Sequence, residues 1–157
     1  MKIGIISDTH KDIGNIDKVI PYLKECDLIV HAGDNIDDAE YIYYATDVFV
    51  KCVKGNCDLY NIDEPYELTF IANNKKFFLC HGHNYDVKMG LNSLLRLAKN
   101  NDIDIVVYGH THIPEYKIID NITFINPGST TYPRGGSDRS FGILTLDDDI
   151  SYEEIKI

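Results

Sequence analysis

The first half of the chain alternates short apolar runs with stretches of helical spacing. Ile3-Gly4-Ile5-Ile6, closed by Ser7, has the pattern of a strand buried on both faces. Ile16, Val19, Ile20 and Leu23 then recur at helical intervals, with Pro21 as a flaw inside the pattern. Leu28-Ile29-Val30 predicts a second buried strand, Asp37 to Tyr44 a short helix and Val48 to Val53 a third strand. Further on, Tyr66 to Ile71 and Lys76 to Cys80 flank Asn73-Asn74, a pair suited to a hairpin turn. Leu91, Leu94, Leu95 and Ala98 mark an amphipathic helix, and Asp104 to Tyr108 another buried strand. The last third reads as strands over Glu115 to Ile119, Ile122 to Ile125, Ser140 to Leu146 and Ile150 to Ile155. Asp120-Asn121 and Asp147-Asp148-Asp149 supply the turns between them. Helical crossovers followed by antiparallel strands predict an α/β chain with two layers of sheet covered by helices.

The 157 residues fit one domain spanning 1–157, without an internal repeat, a low-complexity tract or a linker. The first seven residues are too short and too soon followed by Asp8 and His10 to read as a signal peptide, and no apolar run approaches the ~20 residues that span a bilayer. A cytoplasmic protein without a membrane segment is the expectation. Cys26, Cys52, Cys57 and Cys80 have no CxxC spacing, which favours reduced or buried thiols over a disulfide framework or a zinc cluster. A net charge of −10 argues against a binder of long nucleic acid, whose affinity comes from lysine and arginine on phosphates. It leaves room for a small phosphate ester, because bound divalent cations reverse the field locally. Oligomeric state stays open.

Five short motifs carry candidate chemistry: Asp8-Thr9-His10, Gly33-Asp34-Asn35, Gly55-Asn56-Cys57-Asp58, His81-Gly82-His83 and Gly109-His110-Thr111-His112. Each lies just past the end of a predicted strand, and open α/β sheets bind ligands beyond the carboxyl ends of their strands. One such pair alone would be a hydrogen-bonded histidine. Five at strand ends predict convergence on one metal site. Carboxylate and amide oxygens mixed with imidazoles suit Mn²⁺, Fe, Ni²⁺ or Zn²⁺ in an open, reactive centre rather than a closed structural zinc. Asp8 and His10 stand two apart, so in an extended chain both would point the same way. His110 and His112 either repeat that arrangement or, in a turn, reach different ions.

The order DxH, GD, GNxD, an isolated histidine and GHxH resembles the calcineurin-like metallophosphoesterases, and the short chain with Gly55-Asn56-Cys57-Asp58 is similar to their small bacterial and archaeal phosphodiesterase branch. The resemblance runs from Asp8 to His112. It implies two mixed β-sheets packed as a sandwich and flanked by helices. It also implies two divalent ions, with Mn²⁺ the expected occupant and Ni²⁺, Fe or Zn²⁺ the alternatives. Asp8, His10, Asp34 and His112 would hold one ion, and Asp34, Asn56, His81 and His110 the second, with Asp34 bridging. Such a pair activates a bridging hydroxide for in-line attack on a phosphodiester. Asp34, Asn56 and His81 thereby join the catalytic set, as does Asp58, by orienting a histidine or the Asn56 loop.

Two departures refine this expectation. Many relatives carry a histidine where Cys57 stands, and a thiol with an ordinary pKa near 8.5 is a poor acid for a leaving group. The protein phosphatase branch has an arginine soon after its GD motif, whereas this chain continues Asn35-Ile36-Asp37-Asp38. A small phosphodiester is therefore the expected substrate. A phosphomonoesterase and a non-catalytic scaffold of the same fold, of which the retromer has an example, are the alternatives. Asn35, Cys57 and His83 are candidate substrate contacts. His31 reads as a satisfied core histidine, and Tyr41, Tyr43, Tyr44 and Tyr132 as packing rather than base-stacking surfaces. Arg134 and Arg139, around the Gly-rich stretch Pro133-Arg134-Gly135-Gly136, either reach a phosphate or, the favoured reading, are solvated loop residues. Asn126-Pro127-Gly128-Ser129 is either a loop near the site or a plain turn.

Overall fold

The computed structural model describes residues 1–60 and 63–157. The strands and helices follow the apolar pattern closely. They are β1 (Lys2–Ile6), α1 (Ile13–Leu23), β2 (Leu28–His31), α2 (Asp37–Thr46), β3 (Val50–Cys52), β4 (Glu67–Ala72), β5 (Lys75–Cys80), α3 (Asn92–Asn100), β6 (Ile105–Val107), β7 (Glu115–Ile119), β8 (Ile122–Asn126), β9 (Ser140–Leu146) and β10 (Ile150–Lys156). Two short 3₁₀ turns, His83–Tyr85 and Val87–Met89, lie between β5 and α3.

Two five-stranded sheets form, in the orders β10-β9-β1-β2-β3 and β4-β5-β6-β8-β7. In each, three neighbouring strands run parallel: β1, β2 and β3 in one, β5, β6 and β8 in the other. Antiparallel strands extend the first sheet on one edge, through β9 and β10, and the second on both, through β4 and β7. This is the two-layer mixed sandwich that the sequence pattern and the family resemblance imply.

Alternation along the strands decides which layer each side chain enters. Ile3 and Ile5 of β1 face the space between the sheets with Val30, Phe77, Leu79, Ile105, Val107 and Leu144. Their neighbours on the opposite face pack under helices. Ile6, Ile29 and Phe141 meet Ile16, Val19 and Leu23 of α1 and Ile42 of α2, while Phe78, Val106 and Phe124 meet Leu94 and Ala98 of α3. Strands apolar on both faces are what a sandwich with helical outer layers requires.

Pro21 stays inside α1, in its last turn and on the exposed side. There the carbonyl that loses its partner can be hydrated, so the helix runs on to Leu23 instead of breaking. Asp12 caps the other end, its carboxylate accepting the Asn15 amide and the Asn15 side chain. Asp12→Ala should lower stability by about 1 kcal/mol, a fall in Tm of roughly 2–4 °C for a chain of this size, read by thermal denaturation. Asn73-Asn74 and Asp120-Asn121 both turn with positive φ, joining Ala72 to Lys75 and Ile119 to Ile122 as two-residue hairpins. No helix of the described residues is long and apolar enough to cross a membrane.

Candidate metal centre

The parallel strands of both sheets end on the same side of the sandwich, so their loops meet. The Asp8 amide donates to the Gly33 carbonyl at 3.0 Å, joining the loops after β1 and β2. The Gly109 amide donates to the His81 carbonyl at 3.0 Å, joining those after β5 and β6. The two sheets are linked by the His110 amide, which donates to Asp8 Oδ2 at 3.1 Å. The contacts are so close that two positions accept only glycine. A Cβ on Gly109 would lie 2.0 Å from Ser7 Oγ, and one on Gly55 2.0 Å from Asp34 Oδ1.

The side chains do not converge by extended geometry. Asp8, His10, Asp34, Asn35, His110 and His112 all have positive φ, between 47° and 76°. Left-handed backbone is disfavoured for residues with a Cβ, and its concentration here is strain of the kind held at functional sites. The expectation that Asp8 and His10 align as in a strand is thus corrected, since turns aim them. His110 and His112 diverge. The His112 ring lies against His10, with centroids 5.1 Å apart, whereas the His110 ring stands 5.1 Å from His81.

Asp8, His10, Asp34 and His112 offer ligand atoms that all lie within 4.8 Å of one another. Asp34 faces two ways. Its Oδ2 points to His10 Nε2 at 3.9 Å, and its Oδ1 to His81 Nε2 at 3.4 Å. Outer hydrogen bonds fix the imidazoles, as in metal sites generally. His81 Nδ1 bonds the Ala32 carbonyl at 2.8 Å and His112 Nδ1 the Tyr132 carbonyl at 2.7 Å, which leaves both Nε2 atoms toward the carboxylates. Asp8 Oδ2 accepts from Ser7 Oγ at 2.7 Å as well as from His110. Asp8 Oδ1 and His81 Nε2, both buried, lie respectively 3.1 Å from His112 Nε2 and 3.4 Å from Asp34 Oδ1 but make no hydrogen bond of good geometry. Orphaned buried atoms of this kind call for a further ligand, and hard oxygen with imidazole nitrogen is a donor set for a divalent cation.

The electrostatics fit that demand. Burial alone would raise the Asp34 carboxyl, but His81 and the Cys57 amide and thiol hold it well below the ordinary carboxylate range. Asp8 is likewise buried yet lowered, by His112, His81 and Ser7. Burial lowers His10, and it brings His110 down to about 4 with help from His81 and Lys88, so both stay neutral donors near pH 7. His81 goes up despite its burial, because Asp34 and Asp8 flank it.

The remaining candidates separate. Asn56, Cys57, His10, Asp34, His110 and His112 line one cleft. Asn56 is exposed, and its amide donates to Cys57 Sγ at 3.5 Å. The Cys57 thiol donates to Asp34 Oδ2 at 3.2 Å, and burial with the Asp34 charge pushes it up to about 11. His83 is half-buried and not part of the cleft lining, its ring 5.4 Å from His81 and its Nδ1 without a hydrogen-bond partner. Asn35 does not line the cleft. Its amide, with those of Ile36 and Gly55, donates to Asp58, which is buried and whose two oxygens take all three bonds at 2.8–3.0 Å. Asp58 therefore tethers the Asp34 and Asn56 loops together and has no reach to a substrate.

Lys88 is missed by sequence reasoning, Tyr132 reads there as packing, and Arg134 takes the less favoured of its two readings. Arg134, Tyr132 and Lys88 all line the cleft. Tyr132 is exposed with its ring 5.2 Å from His10, and is not core packing. Tyr43 and Tyr44 are also on the surface, their rings meeting edge to face. Arg139 serves structure, donating from Nε to the Thr131 carbonyl. The loop after β8 is no plain turn. Asn126 donates to the Gly109 carbonyl, Ser129 to the Asp8 carbonyl and Thr131 to the Thr9 carbonyl, so it braces two motif loops at once.

His31 is a satisfied core histidine. Its Nδ1 accepts the Gly33 amide at 3.2 Å, and its Nε2 bonds Thr9 Oγ1 at 3.1 Å, which in turn donates to Asp38. Burial lowers its pKa from 6.5, so the unfolded chain takes up its proton first. Stability from this residue is complete above the unfolded value and declines as pH falls below about 6.5. His31→Gln should flatten that acid slope in denaturant titrations from pH 7 to pH 5, whatever its effect on the level.

Comparisons with known proteins agree with this geometry. The family model of the calcineurin-like phosphoesterase superfamily domain matches residues 1–149. The probable metallophosphoesterase YsnB of Bacillus subtilis is 34% identical over 152 residues, covering 95% of this chain and 86% of its own length. A phosphodiesterase of Methanocaldococcus jannaschii is 32% identical over 146 residues, covering 82% of this chain and 83% of its own. The solved structure of an archaeal phosphodiesterase superposes with a TM-score of 0.82 at 27% identity, over the full length of both chains.

Proposed function

Because the chain belongs to the calcineurin-like phosphoesterase superfamily and is a hydrolase of phosphoesters, we propose that it is a metal-dependent phosphodiesterase with a dinuclear centre. The observation that carries the reading is Asp34, whose two carboxylate oxygens face different histidines, His10 on one side and His81 on the other. Asp8 and His112 would complete the first set of ligands, and His110, whose ring stands beside His81, would join it with Asn56 in the second. Two bound divalent ions would acidify a water for in-line attack and neutralise charge developing on phosphorus. Mn²⁺ suits the mixed oxygen and nitrogen donors, with Ni²⁺, Fe and Zn²⁺ as alternatives.

The chain's own residues supply position and field. His81 and His112, held through Nδ1, keep Nε2 atoms fixed without reorganisation. Asp58 and the Ser129 loop hold the motif loops in register. Cys57, with its thiol raised to about 11, stays protonated at neutral pH and is a sluggish acid, so esters with good leaving groups should turn over fastest.

A second reading has an observation of its own. Arg134 and Lys88 on the cleft wall are what a dianionic monoester would need, as in a phosphomonoesterase. Chelator-stripped protein with Mn²⁺, Ni²⁺, Mg²⁺ or Zn²⁺ restored separately distinguishes the two. Bis-p-nitrophenyl phosphate should be cleaved only with metal, at a kcat/KM about tenfold or more above that of p-nitrophenyl phosphate (about 1.4 kcal/mol). A faster monoester would move the conclusion to the phosphomonoesterase. Absence of turnover with metal bound would leave a scaffold.

A further inference from the structure

Lys88 and Arg134 stand between two cavities. On one side is the metal cleft, about 170 Å³, which they line with His10, Asp34, His110 and His112. On the other is a cavity of about 390 Å³ walled by Val87, Tyr108, Thr111, Ile113 and Glu115, which they line as well. That volume falls in the range of small-molecule sites, whereas the metal cleft alone holds little beyond a phosphoryl group. We infer that the second cavity receives one organic arm of the phosphodiester and that Lys88 and Arg134 bind a second anionic group, such as a further phosphate, carried on that arm. The inference rests on the phosphodiesterase reading and names its substrate class: a diester bearing an additional phosphate, of nucleotide size.

Four observations support it. First, both cations are exposed and neither is ion-paired among the described residues, so both side chains are free to meet an anion. Both line the same two cavities, so both can meet a ligand there. Second, they come from separate elements, a 3₁₀ turn after β5 and the loop after β8, and the loop is anchored by the Arg134 amide donating to the His112 carbonyl at 3.1 Å. Arg134 is thus tied to the metal centre itself. Third, a diester phosphate carries a single negative charge, which bound ions would already meet. The two cations are then available for another anion, and guanidinium with ammonium is the usual pair for one. Fourth, the cavity beyond them is mixed in character, with Val87 and Ile113 apolar and Glu115 an acceptor fixed by the Tyr108 hydroxyl. Such walls suit a sugar or base better than a bare ion. The groove beside α2 and β3, about 450 Å³, is the contrast. It is lined by Asp37, Glu40 and Glu64, whose charges would repel a phosphoester.

The test compares thymidine 5′-(p-nitrophenyl phosphate) with the same ester carrying a 3′-phosphate, on Mn²⁺-loaded full-length protein and its Lys88→Met/Arg134→Met variant. The 3′-phosphorylated ester should be preferred by the unaltered protein about tenfold or more in kcat/KM, and the ratio should fall close to one in the variant. Both substituted side chains are exposed, so the variant should melt within about 2 °C of the parent. Calorimetry with thymidine 3′,5′-bisphosphate supplies a readout independent of turnover, expected to weaken about tenfold in the variant. A ratio near one in the unaltered protein, or one that survives the double substitution, overturns the inference. Failure to cleave either ester while bisphosphate binding still depends on the two cations would sink the diesterase reading and keep the anion site. Loss of both hydrolysis and binding would sink both.

Discussion

Asp34→Asn should lower kcat/KM for an activated phosphodiester by about 10³-fold or more, equivalent to roughly 4 kcal/mol of transition-state stabilisation. The substitution keeps size and one oxygen but removes the charge that faces His10 and His81 from opposite sides. If Asp34 joins two metal sites, a single change weakens both. Metal content after dialysis should therefore drop by more than one site's share, measured by elemental analysis beside the kinetics. A change limited to packing would alter neither. The Cys57 amide can still donate to the remaining oxygen, so the fold should persist, as circular dichroism would establish. Activity within tenfold of the parent would falsify the central place given to this carboxylate.

Asp58→Ala should cost about 3–5 kcal/mol of stability, because three amide donors, those of Ile36 and Gly55 buried and that of Asn35 partly so, lose their acceptor at once. The corresponding fall in Tm is roughly 10 °C. Activity should fall too, through loosened Asp34 and Asn56 loops, with metal affinity reduced more than the turnover of saturated enzyme. Asp58→Asn makes a useful partner experiment. It retains one acceptor oxygen and should sit between the two. A Tm for the alanine variant within 2 °C of the parent would mean that the three amides find other acceptors, and that Asp58 does not tether these loops.

What the sequence determined by itself was local. Apolar periodicity marked every strand and helix to within a few residues, because burial on one or both faces writes itself directly into the order of residues. The hairpins at Asn73-Asn74 and Asp120-Asn121 were legible for the same reason, since asparagine and aspartate tolerate the left-handed backbone such turns need. The motifs were legible as chemistry, and their places after strand ends foretold that they would meet.

Only the tertiary structure decided how they meet. The insertion of β9 beside β1, more than 130 residues away in sequence, completes the first sheet and could not be read from spacing. The positive φ values at Asp8, His10, Asp34 and His110 arise where loops from two sheets are braced against each other, by the Ser129 and Asn126 side chains among others. Asp58 was noticed in the sequence, but its three amide partners lie on two different loops. Lys88 carries no motif, Arg134 offered only its place in a Gly-rich loop, and only the joining of a turn after β5 to a loop after β8 gives them a common cleft. Local residue order sets which side chains can do chemistry. Long-range strand pairing, which no short window of sequence contains, sets which of them share a site.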